Sequence, residues 1–115
     1  MSDTPRPPGK TTIAPNVLLT IISLTTLKTQ GVHGFSAVPG GVDRLFSREY
    51  QQGIRIEIKE DTVFADLYVA LQDNVNIRAV SREIQTNVKR AIEEMVGMNV
   101  GRINIHIEEI IYPQN

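Results

Sequence analysis

The chain has 115 residues, 41% of them hydrophobic and 22% charged, with a formal net charge of −1. That length suits one domain with a core that needs no staple, and the near-zero charge excludes a polyanion binder held by a global basic field. With no cysteine there is no disulfide, thiolate chemistry or Cys-ligated zinc, and the lack of tryptophan argues against a broad stacking platform for single-stranded nucleic acid.

Residues 1–11 predict a disordered tail, because Pro5, Pro7 and Pro8 oppose both helix and sheet. This polar start is unlike a signal peptide, and a single domain is expected over residues 12–112. A helix is predicted over 15–29, with Pro15 in its first turn and Gly31 ending it. Val17, Leu18, Ile21, Ile22, Leu24 and Leu27 form its broad apolar face. Val32 to Val38 reads as a short strand, Pro39-Gly40-Gly41 as a turn and Val42 to Phe46 as a helical turn.

Ile54, Ile56 and Ile58 alternate with Arg55, Glu57 and Lys59, which predicts a half-buried strand. After Glu60-Asp61, the core-facing set Val63, Ala65, Leu67, Val69 and Leu71 alternates with Phe64, Asp66, Tyr68, Ala70 and Gln72. Two alternating runs about a short polar connection are a β-hairpin. A second helix follows over about 76–96, capped by Asn74 or Asn76 and stopped by Gly97. Its apolar stripe is Ile77, Val80, Ile84, Val88, Ala91 and Met95. Ile103, Ile105 and Ile107 mark a last strand, ended by Pro113. The expected fold is α+β in the order α-β-β-β-α-β: a mainly antiparallel sheet of about four strands, with both helices on its apolar face.

The chain resembles the alkaline shock protein family of bacterial envelope stress response and general stress proteins over about residues 12–111. The resemblance rests on Gly31-Val32-His33-Gly34, on Gly53 to Ile58, on Val63 to Leu71, on Val80 to Val88 and on Met95 to Ile107. This chain departs from the family pattern at Ala14-Pro15-Asn16 and between Gly34 and Gly53. The resemblance implies a non-enzymatic scaffold or adaptor in the cytoplasm, peripheral at the inner face of the membrane. It would act with family copies or a membrane-anchored partner, and it supplies no catalytic residue to carry over.

The residues themselves offer no reaction. His33 lies in a glycine-flanked loop, and His106 is read as a solvated partner of Glu108, so no catalytic, metal or cofactor site is assigned. Asp66, between Phe64 and Tyr68 on the outer parity of its strand, is read as a cross-strand partner of Arg55 or Arg102. Gly97 and Gly101 are read as connection glycines, because they follow a helix where a phosphate loop would precede one. Arg78, Arg82 and Lys89 form a basic flank, with Lys89–Glu93 and Arg90–Glu94 spaced for weak helix pairs. The candidate interaction surface is therefore Phe64, Tyr68, Arg78, Arg82 and Lys89. A homodimer is expected from the broad apolar face of the first helix together with the aromatic pair Phe64 and Tyr68, and membrane association is expected to need a partner protein. The alternative reading, a small KH-like RNA-binding domain, lacks the Gly-x-x-Gly loop between helices and a basic face.

Overall fold

The computed structural model describes residues 13–37 and 50–113. The tail at 1–11, the turn at Pro39-Gly40-Gly41 and the helical turn at Val42 to Phe46 lie outside the described residues, as does the domain's expected start at 12. The elements are α1 (Pro15–Lys28), β1 (Val32–Phe35), β2 (Tyr50–Gln51), β3 (Ile54–Lys59), β4 (Thr62–Gln72), α2 (Ile77–Ala91) and β5 (Asn99–Ile111). A π-helical turn, Ile92–Val96, continues α2. The α+β architecture expected from the sequence is present, with the two-residue β2 added ahead of the hairpin.

β4 organises the sheet. β5 pairs with it from Thr62 to Gln72, filling one edge. β3 and β1 therefore share the other edge end to end, β3 opposite Thr62 to Leu67 and β1 opposite Val69 to Leu71. Tyr68 stitches the junction: its N–H donates to the Gly53 carbonyl and its carbonyl accepts from Ser36 N–H, both at 2.8 Å. β1–β4, β2–β3 and β3–β4 are antiparallel, whereas β4–β5 is parallel. The parallel pairing follows from length. α2 with its π turn rises roughly 30 Å, close to the span of an eleven-residue strand, so the helix returns the chain to the end where β4 began.

α1 and α2 lie on the same face of the sheet, and the core between them holds Leu18, Ile22, Ile54, Val63, Leu67, Val69, Leu71, Ile84, Val88 and Ile92. The strand alternation is as the sequence predicts. Helix α1 differs. Its buried side is Leu18, Leu19, Ile22 and Thr26, whereas Val17, Leu24 and Leu27 are exposed. Both sides of this helix are apolar, so hydropathy alone could not choose between them. Thr26 is fully buried, with its hydroxyl unpartnered.

In α2, Asn76 accepts from Ala79 N–H and caps the helix, one of the two candidates named from sequence. Val80, Ile84, Val88 and Ile92 are buried, while Ile77 and Met95 are exposed, which corrects both ends of the expected stripe. Gly97 N–H donates to the Ile92 carbonyl five residues back. That wider turn keeps Ile92 inward and carries Met95 off the core side. The proposed Lys89–Glu93 and Arg90–Glu94 pairs are not among the ion pairs of the described residues. β5 begins at Asn99, earlier than the sequence suggests, so Gly101 lies inside a strand and is no connection glycine. It forms a bulge where Val63 faces Val100 and Phe64 faces Arg102.

Candidate functional site

The sheet face away from the helices carries the residues that the alternation turns outward. The registers Phe64↔Arg102, Asp66↔Asn104 and Tyr68↔His106 set three cross-strand pairs in a row along β4 and β5. Each pair makes a different contact. The Phe64 ring lies against Gly101, so tightly that an added Cβ would collide with the ring. The Arg102 guanidinium stands 5.9 Å from the centroid of that ring. Asp66 Oδ1 accepts from Asn104 Nδ2 at 3.1 Å and lies 3.0 Å from His106 Nε2. A carboxylate only accepts, so Nε2 carries the ring proton. Tyr68 stacks on His106 with centroids 4.4 Å apart and planes 10° from parallel.

Asp66 is thus held as a cross-strand clamp. Arg55, its register partner on β3, adds a favourable charge, as the sequence reading anticipated. His106 pairs with Asp66 and not with Glu108, because parity and register on β5 bring it beside Tyr68 and Asp66. Asn104 was missed altogether. Its outward parity was visible in the alternation, but only the parallel register places it opposite Asp66.

Partial burial pushes the Asp66 carboxyl up. The hydrogen bonds from His106 and Asn104, with the charges of His106 and Arg55, outweigh this and hold it below its usual value. A carboxylate whose folded value is depressed stabilises the fold above the ordinary carboxylate range and loses that contribution as pH falls through the folded value. Asp66→Asn should therefore lower stability at pH 7 by up to about 1 kcal/mol, the pair being partly solvated. The difference from wild type should shrink below about pH 4. Denaturant melts at both pH values check this; an unchanged difference would mean that the carboxylate charge is immaterial.

A shallow groove of 460 Å³ runs over this face, lined among others by Arg55, Glu57, Phe64, Asp66, Arg102 and Asn104. Its charges are mixed, and Asp66 is already engaged. Among the described residues, no group of three His, Cys, Asp or Glu side chains is placed to hold a metal ion. Of the sequence-derived surface, Phe64 and Tyr68 lie on this outer face. Arg78, Arg82 and Lys89 lie on α2, across the sheet, so the five residues form two surfaces and not one. A third surface was partly foreseen. Val17, Leu24 and Leu27, with half-buried Ile21, line the side of α1 turned from the core.

Comparison with known proteins agrees with the sequence resemblance. The uncharacterized protein Spy1535 of Streptococcus pyogenes serotype M6 is 34% identical over 104 residues, covering 90% of this chain and 80% of its own length. The uncharacterized protein YqhY of Bacillus subtilis is 27% identical over 101 residues, covering 86% of this chain and 75% of its own. Among solved structures, MamM-CTD 215-293 shares the fold with a TM-score of 0.52 at 12% identity, covering 84% of this chain and 99% of that one. The family model for alkaline shock protein 23, described as having a cell envelope-related function, matches residues 3–112. With nearly its whole length matched, this chain belongs to the alkaline shock protein 23 family.

Proposed function

We propose that the chain is a non-catalytic scaffold or adaptor on the cytoplasmic side of the cell envelope, assembled from copies of itself and held at the membrane by a partner protein. The observation that carries this reading is the second apolar side of α1. Val17, Ile21, Leu24 and Leu27 recur at helical spacing opposite the buried Leu18, Ile22 and Thr26, and the only charge on the helix is Lys28. Such a surface costs free energy in water unless something covers it. Elsewhere the exterior is well supplied with charge, with 12 basic and 13 acidic residues in the chain. A matching neutral surface is the same helix in a second copy, and a two-fold axis makes that contact self-complementary.

No helix among the described residues is long and apolar enough to cross a membrane, so the reading assigns envelope placement to a partner. The outer-face cluster supports a structural role, since Asp66, Asn104 and His106 satisfy one another.

Light scattering over a concentration series tests the assembly. The wild-type chain should pass from monomer to dimer. Leu24→Glu should keep it monomeric with little change in melting, because Leu24 is 54% exposed and outside the core. A wild-type chain that stays monomeric at millimolar concentration would remove the self-association.

A further inference from the structure

Helix α2 and strand β5 together form a feature that the assembly through α1 does not use. Among the described strands β5 pairs only with β4, leaving its other edge unpaired along a thirteen-residue strand. Gln85 of α2 donates Nε2–H to the Ile103 carbonyl at 2.9 Å, so this side of α2 faces the open edge and covers it at one point. The two-residue alternation turns the N–H and C=O of Ile105 and Ile107 to the same edge. Arg78, Arg82 and Lys89 lie at i, i+4 and i+11 of α2, in line with Gln85 at i+7, and Arg78 and Arg82 are exposed. None of the three belongs to an ion pair among the described residues. Lys89 and Arg102 flank a cleft of 180 Å³ at the end of this seam, over Val100, Gly101 and Ile103.

We infer that the seam between α2 and the free edge of β5 binds an extended acidic segment of a partner protein by strand addition. The spacing supports it. Four helical residues rise about 6 Å, and alternate side chains of a strand recur about every 6.6 Å, so carboxylates at every second position meet Arg78 and Arg82 in turn. The backbone edge supplies affinity and the basic row selects the side chains. A second copy fits poorly. Antiparallel addition of β5 to β5 about a two-fold axis sets Arg78 of one α2 toward Lys89 of the other, with Arg82 between them. The copy's Glu109, registered opposite Ala70, belongs to the sheet face turned from the helices.

This inference rests on the adaptor reading and specifies its partner surface. The test titrates the full chain with a synthetic twelve-residue peptide alternating glutamate and threonine, followed by calorimetry at low salt. Saturable binding is expected, weakened about tenfold by Arg82→Glu or Arg78→Glu as charge pairs reverse. The same peptide with lysine for glutamate, or with alternate amides N-methylated, should not bind. Equal binding of the N-methylated peptide would overturn strand addition, and absence of saturable binding by the acidic peptide would overturn the site. A change in oligomeric state of the chain alone on Arg82→Glu would assign the seam to a second copy and equally overturn the inference. Leu24→Glu probes α1 alone, so the adaptor's self-association can fail without the peptide result changing, and the reverse.

Discussion

Ile84→Ala should lower the unfolding free energy by about 2–5 kcal/mol, the range for truncating a fully buried aliphatic side chain. Ile84 sits mid-way along the buried line of α2 with no exposure, and it packs in the cluster that includes Leu67, Val69 and Ile92. Neighbouring turns of α2 hold the backbone in place, so the site cannot collapse to fill the void. Met95→Ala is the informative contrast. By simple periodicity Met95 belongs to the same stripe, yet the π turn leaves it 70% exposed, so its truncation should change stability by no more than about 0.5 kcal/mol. Arg82→Ala should be equally mild. Denaturant melts giving similar losses for Ile84→Ala and Met95→Ala would mean that the helix is rotated from the orientation described.

Gly53→Ala should destabilise the fold by at least about 2 kcal/mol, through two causes acting together. The residue has φ +79, in the left-handed region, and an added Cβ would come within 2.7 Å of both Phe35 Cβ and the Ser36 carbonyl oxygen. Neither obstacle is the free end of a flexible side chain. Its carbonyl also receives Tyr68 N–H at the point where β1 gives way to β3 along β4, so relief by backbone movement would open that junction. Gly34→Ala, in β1 beside Phe35, adds a Cβ without the obstruction, since a Cβ there would meet nothing within 4 Å. Thermal melts should separate the two variants widely. A Gly53→Ala protein that melts with the wild type would contradict the end-to-end arrangement of β1 and β3.

The residues differ in how much they disclose before the fold is known. Alternation in Ile54–Lys59 and Thr62–Gln72 was decisive, because every second side chain contrasts in polarity with its neighbours and one register satisfies the whole hairpin. α1 gave a helix but not its inward face, since Leu18 and Leu24 look alike to any hydropathy argument and Thr26 reads as polar although it is buried. The end of α2 misled for a geometric reason: counting by 3.6 assigns Met95 to the core, and only the Gly97–Ile92 hydrogen bond shows the wider turn. On the outer face, Phe64, Asp66 and Tyr68 were visible as one row. Their partners Arg102, Asn104 and His106 come from a strand some forty residues away, and their register depends on a bulge at Gly101 that periodicity does not reveal.

A single introduced cysteine tests the central claim of assembly through α1 most directly, because the chain has none of its own to confuse the result. Leu24→Cys, oxidised at micromolar protein concentration and run without reductant, should yield a disulfide-linked dimer. Thr86→Cys, exposed on α2, should remain monomeric under the same conditions. Leu24→Cys that stays monomeric, or cross-linking of the two variants to the same extent, would contradict a dimer built on the outward side of α1.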